Sequence, residues 1–214
     1  MKQKVGVKMP NYCSYSMQVT GRPEDVDLFL NEMRSNYCYN EYGCEGITKD
    51  MRHFCRVFEA VPSAAFTFLK QVSDSHEVFL KRLEITGDCA WSVASCMTSG
   101  AYTYYSQFKE KYENRSQATT LQLESRRLNL IIEVYSEETG CAFSEHMLYV
   151  NGEEIINDCV DYNEIWYDEN DNELDEPIVE GGFDSWDFTN EYDLRIAKAI
   201  FKKHGGLTTV VKAE

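Results

Sequence analysis

Between Glu133 and Asp193 the chain places twenty Asp and Glu residues and no Lys or Arg, the nearest bases being Arg127 and Arg195. Repulsion on that scale lets the segment fold only if regular structure gathers its apolar residues while the carboxylates reach water or partners. The residues between the acids include Ile, Leu, Val, Tyr and Trp, all strand formers. The tract therefore fits a sheet with one buried and one solvated face, not a disordered tail. Asn151-Gly152, between HMLYV and EEIIN, supplies the positive φ angles of a tight hairpin turn. EIWYDENDNEL repeats the theme with a looser turn. The rest of the chain holds 16 acids against 21 Lys and Arg, so one contiguous third of the 214 residues makes the whole net charge of −15.

Upstream, Tyr12 to Thr20 alternates and predicts a strand. Gly21 stops it, and Pro23-Glu24-Asp25 opens a helix with Val26, Phe29, Leu30 and Met33 at helical spacing. SNYCYNEYGCEG reads as a polar loop, and HFCRVFEAV as a second strand ended by Pro62. SAAFTFLKQV and SHEVFLKRL carry helical spacing but are short enough to be strands, and both readings stay open. ITGDCAWSVASCM predicts a central apolar strand, and SGAYTYYSQFKEKYENRSQ a tyrosine-rich excursion. Thr119 or Thr120 caps a helix, LQLESRRL, and LIIEVYSEE follows as a strand. A closing helix, Glu191 to His204, presents Leu194, Ala197, Ile200 and Phe201 on one face.

This order is that of an α+β, ferredoxin-like sandwich with an appended antiparallel β-meander and a C-terminal helix. Residues 1–150 would form the ferredoxin-like core, with the acidic meander and helix of 151–214 packed on the same domain. Met9 to Gly21, MPNYCSYSMQVTG, resembles the opening MPNWCxNxLxVxG of the YubB-like ferredoxin-fold proteins of phages and plasmids, with Tyr12 where the family has Trp. GDCAWSV (87 to 93) and IIEVYSEETGCAF (131 to 143) resemble the family's tryptophan strand and its aromatic, Glu-Gly-Phe strand. The resemblance implies the fold and a mobile-element origin, and brings no established chemistry with it.

The residues themselves point away from catalysis and metals. Eight cysteines without an export signal predict reduced, mostly buried thiols. Cys38, Cys44, His53 and Cys55 have no zinc-knuckle spacing. Asp168, Asn170 and Asn172 match the first three positions of a calcium loop, but Glu173 and Val179 stand where glycine and glutamate are needed. Cys89 reads as a buried strand thiol, and Glu137 and Glu138, adjacent on a strand, point to opposite faces. No cofactor and no enzymatic activity are expected. MKQKVGVKMPNY holds no apolar run of secretory length and no window spans a membrane, so the expected location is the cytoplasm of a host cell.

Uncompensated carboxylates would repel nucleic acid and attract a basic partner. The sequence reading is thus a non-enzymatic phage or mobile-element accessory protein. It binds a basic host protein, such as a nucleic-acid-binding nuclease complex, as a nucleic-acid mimic and anti-CRISPR-like inhibitor. The residues assigned to the contact are Glu164, Trp166, Tyr167, Asp168, Glu169, Asp171, Glu173, Asp175, Glu176 and Glu180, with loop Tyr102, Tyr104 and Tyr105 as aromatic anchors. Other readings stay open: a solvated acidic face, a metal- or cysteine-dependent enzyme on the GDCAWSV strand, or an assembly component. Partner identity and oligomeric state are not fixed by the sequence.

Overall fold

A computed structural model describes residues 12–34, 39–40, 43–44, 54, 57, 59–73, 76–98, 119–167, 173–183 and 185–204. For 34, 39–40, 43–44, 72–73, 76, 164, 166, 173, 175–177 and 204 it describes the backbone alone. The elements in chain order are β1 (Tyr12–Gly21), α1 (Pro23–Arg34), β2 (Tyr39–Asn40), β3 (Gly43–Cys44), β4 (Val61–Ser73), β5 (His76–Ala90), α2 (Val93–Met97), α3 (Leu121–Leu128), β6 (Ile131–Glu138), β7 (Phe143–Val150), β8 (Glu153–Tyr167), β9 (Glu173–Gly181) and α4 (Asp193–His204). Seven strands form one antiparallel sheet in the order β4-β5-β1-β6-β7-β8-β9, and β2 pairs with β3 separately. The protein is thus of the α+β class.

Alternation along the strands sends their apolar residues to two cores. On one face Met17 and Val19, Leu83 and Ile85, Ile132 and Val134, and Met147 and Tyr149 pack against Val26, Phe29 and Met33 of α1 and against α2 and α3. On the other, Leu80, Ile131, Leu148 and Val150 receive Ile196, Ala197 and Ile200 of α4. Each fully buried side chain of this size contributes about 1.5–3 kcal/mol of transfer free energy. The buried side of α4 thus includes Ile196, whereas Leu194, expected there, is exposed.

Local chemistry explains the elements that match expectation. Thr120 Oγ1 caps α3 by accepting from the Leu123 N–H at 3.2 Å, and Asn129 closes it with φ 51°. Asn151 and Gly152 turn β7 into β8 with φ of 51° and 83°. α1 and α3 are tied by Arg127, which pairs with both Glu32 and Glu124.

Two expectations are corrected and one open reading is decided. The second strand does not end at Pro62; it begins at Val61 and runs through the proline as β4, because an outer strand loses nothing by lacking one N–H. Residues 53, 55, 56 and 58 of the expected strand lie outside the described residues; of the others, Val57 makes an isolated bridge to Cys89, and Glu59 donates its N–H to the Asp88 carbonyl at 3.2 Å. SAAFTFLKQV and SHEVFLKRL are strands, the halves of the β4–β5 hairpin. ITGDCAWSVASCM is a strand only to Ala90. Trp91 at φ 68° turns the chain, and Ser92 caps α2 with its Oγ accepting from the Ser95 N–H at 2.9 Å.

α4 is anchored by charge as well as by its apolar face. Arg82 of β5 donates to Asp193 at 2.6 Å and to Thr20 Oγ1 at 3.4 Å, with both charged side chains mostly buried. Arg82→Met is expected to cost about 2–3 kcal/mol, since it strands a buried carboxylate. Urea unfolding checks this, and an unchanged midpoint would show that α4 docks by apolar contact alone.

Candidate functional site

The outer wing of the sheet is where the acidic tract becomes a surface. β7 has 8 residues and β8 has 15, so β8 is paired to β7 as far as Asp161, the Tyr162 N–H still donates to the Ala142 carbonyl at 2.9 Å, and beyond it β8 pairs only with β9. Register then distributes its side chains. Asp158 stands opposite His146 on the α4 side, and Asp161 opposite Phe143 on the α1 side. Glu180 stands opposite Asn163, which shares the face of Asp161. Glu153, Glu154, Asp158, Asp161 and Glu180 are all exposed. Among the described residues, Glu153 pairs with Arg195 of α4, and no Lys or Arg pairs with Asp158, Asp161 or Glu180.

The expected contact residues fall into three groups. Tyr167 and Glu180 are exposed on β8 and β9. Glu164 and Trp166 occupy β8 positions, and Glu173, Asp175 and Glu176 β9 positions, with Glu164 opposite Val179 and Tyr167 opposite Glu173. Asp168, Glu169, Asp171, Tyr102, Tyr104 and Tyr105 lie outside the described residues. Between the acids, Ile178 and Val179 are also exposed, two apolar residues that the sequence reading did not assign to the surface.

The expectation of one buried and one solvated face is corrected along the tract: β6 and β7 are covered on both faces, with Glu137, Phe143 and His146 half-buried, whereas β8 reaches water on both sides at Asn157, Asp158, Cys159 and Asp161. The tract also keeps carboxylates inside. Glu133 accepts from the Thr189 N–H at 2.8 Å and hydrogen-bonds His146 Nε2 at 2.9 Å. This fixes the segment before α4 over Tyr135, which stacks on His146 at 4.0 Å and lies parallel to Trp186 at 6.1 Å. Burial first, then the charges of Glu133 and Asp187, push the Tyr135 phenol up. Glu138 closes the β6–β7 turn by accepting from the N–H groups of Gly140 and Cys141.

Glu145 is a buried carboxylate at the start of α2. Its Oε2 accepts from the Val93 N–H at 2.8 Å and from Ser136 Oγ at 2.7 Å, and Oε1 from the Ala94 N–H at 3.4 Å. Burial pushes its carboxyl up, opposed by those donors. Nearby, Cys13 faces Cys89 across the β1–β5 ladder, and Cys96 donates to the Ala90 carbonyl at 2.8 Å. Hydrogen bonding to Cys89 chiefly, with Ser136 and the Val93 N–H, draws the Cys13 thiol down, while Cys89 is pushed well up by Cys13, Cys96 and burial. All three thiols are closed off from solvent, whereas Cys141 and Cys159 are exposed, so the expectation of buried thiols holds in part. The sequence did carry a signal for Glu145: it interrupts the core-facing series Phe143, Met147, Tyr149.

Among the described residues no group of three or more His, Cys, Asp and Glu is placed to hold a metal ion. The thiols of Cys38, Cys44 and Cys55, His53, and the calcium-loop positions Asp168, Asn170 and Asn172 lie outside what is described. No helix of the described residues is long and apolar enough to cross a membrane. Compared with protein families, curated proteins and solved structures, the chain matches none.

Proposed function

We propose that the β8–β9 wing is a recognition surface for a basic protein, and that the chain acts by occupying a cationic nucleic-acid-binding surface. The carrying observation is that Asp158, Asp161 and Glu180 stand exposed and without a Lys or Arg partner among the described residues on ordered, register-fixed strands. A strand repeats side chains on one face about every 6.6 Å. Negative charge fixed on both faces of the wing, with the exposed Tyr167 on the same strand, offers a basic groove charge and a flat ring as a nucleic-acid strand does, and it releases the same counterions. Inhibition of a host nuclease by a phage or mobile-element protein, in the manner of an anti-CRISPR, is the biological reading.

We also read the fold as ferredoxin-like, of the YubB-like kind. In support, β1, α1, β4, β5, the α2–α3 segment and β6 follow a β-α-β-β-α-β course, with strands in the order β4-β5-β1-β6. The meander β7 to β9 would then be an addition at the β6 side.

Competition measures the main point. A purified nuclease complex with a basic nucleic-acid channel is titrated with the protein in the presence of its labelled nucleic acid. Displacement is expected to weaken as salt rises, and to weaken at least about tenfold for Asp158→Lys/Asp161→Lys/Glu180→Lys. Displacement by that variant at wild-type strength removes mimicry as the mechanism.

A further inference from the structure

The sheet has two outer strands of opposite chemistry. β9 is acidic and carries Pro177 within its length, which offers no N–H to a neighbour. β4 has one charged residue between Val61 and Gln71, Lys70, already paired with Glu77 at 2.6 Å. Its first part is closed off: Pro62 lacks an N–H, the register shifts between Pro62 and Phe66, and the Ala65 N–H donates to Ser63 Oγ at 3.2 Å. From Phe66 onward β4 pairs regularly with β5, and among the described residues no strand meets its outward N–H and C=O groups. Phe66, 51% exposed, and Phe68, 38% exposed, stand beside that open ladder with ring centroids 5.2 Å apart. Lys81, held by Asp27 of α1 at 2.6 Å, lies 4.8 Å over the Phe66 ring, which places this pair on the α1 side of the sheet.

We propose that β4 is the seam of a two-fold symmetric dimer, in which the open stretch from Phe66 to Gln71 pairs antiparallel with its own copy and the Phe66 and Phe68 rings of both copies pack together. A two-fold contact must be self-complementary. A nearly uncharged strand meets itself without opposing like charges, whereas β9 would set acid against acid. The strand order places β9 six strand spacings from β4, about 29 Å. Two copies joined at β4 therefore hold their acidic wings at opposite ends of one continuous sheet, several Debye lengths apart. A head-to-tail contact of β4 on β9 would meet Pro177 and would grow into open filaments. The dimer does not depend on the proposed basic partner, and it leaves both wings free.

Sedimentation velocity of the full chain over a rising concentration series tests this. A reversible monomer–dimer equilibrium is expected. Added salt should tighten the dimer by screening the −15 charge of each copy, the reverse of the salt response expected for a basic partner. Thr67→Lys/Phe68→Lys changes exposed positions and should raise the dissociation constant at least about tenfold with an unchanged circular dichroism spectrum. Val179→Lys on β9 should leave the dimer intact. A monomer at every concentration, an assembly larger than a dimer, or a dimer sensitive to Val179→Lys and indifferent to the β4 change each overturns the proposal.

Discussion

Gly87→Val is expected to yield no folded protein, and even Gly87→Ala to lose more than about 4 kcal/mol. The position is not a turn and its φ is unremarkable; the constraint is space. A Cβ at Gly87 would stand 2.6 Å from the Glu59 carbonyl carbon, closer still to that carbonyl's oxygen, and 2.8 Å from the Tyr15 hydroxyl. The two nearest of these atoms belong to the backbone and not to a movable side-chain end. The Glu59 carbonyl is held from two directions, by the Tyr15 hydroxyl donating to it at 2.6 Å and by the Glu59 N–H on Asp88 at 3.2 Å. Making room means lifting residues 59 and 60 off β5, which would uncover Val57 and Ala60 in the main core. Against a typical total of about 5–15 kcal/mol, such a loss is visible as insoluble expression or a collapsed thermal midpoint. Tyr15→Phe separates the contributions: alone it should cost about 1 kcal/mol, and combined with Gly87→Ala it should recover little, because the backbone carbonyl remains. A Gly87→Ala protein within about 1 kcal/mol of wild type would mean that the chain before β4 does not lie on β5.

Gly87 also shows where the sequence was legible and where it was not. Within GDCAWSV a lone glycine inside a strand pattern can mark a bulge or a close approach, and only the fold reveals that residue 59 is what approaches. β1, α1, the Thr120 cap and the Asn151-Gly152 turn were readable because their determinants are local: alternation, an N-terminal proline, a capping hydroxyl, positive φ. β4 and β5 were not decided by periodicity, since SAAFTFLKQV and SHEVFLKRL satisfy both periods; pairing of β5 with β1 selects the strand. α4 was found and Ala197 and Ile200 of its expected face are buried, but spacing alone does not set where that face ends, and packing buries Ile196 while Leu194 stays exposed.

The acidic tract was legible as a sheet and illegible as a surface. Counting carboxylates gives a charge, and it does not reveal that Glu133, Glu138, Glu145 and Asp193 are spent inside as acceptors. Nor does alternation show that β8 is wet on both faces at Asn157, Asp158, Cys159 and Asp161 while still paired with β7. Recognition by the wing would accordingly involve carboxylates of either face, with Asp158 and Asp161 pointing to opposite sides.

Glu145→Leu is the substitution of that tract with the largest expected effect, a loss of about 4 kcal/mol at constant side-chain bulk. The apolar side chain would leave the Val93 and Ala94 N–H groups and the Ser136 hydroxyl without the acceptor they share. Glu145→Gln keeps one acceptor oxygen and should cost about 1–2 kcal/mol near neutral pH. The pair of variants also fixes the sign of a pH effect. Burial raises the folded-state carboxyl above the ordinary 4.5, so between the two values the native protein keeps a proton that the unfolded chain has released. Stability from this group is therefore complete below the unfolded value, declines as pH climbs toward the raised one, and is flat above it. Glutamine cannot ionise, so the stability of wild type over Glu145→Gln should shrink as pH rises through that window, measured by urea unfolding from acid to neutral pH. Hydrogen-bonded carboxylates elsewhere, such as Glu133 and Glu138, remain in both proteins and cancel in the difference. A difference that stays level, or grows with pH, would show that the donors from α2 and Ser136 outweigh burial and that Glu145 sits in the core as a stabilised anion.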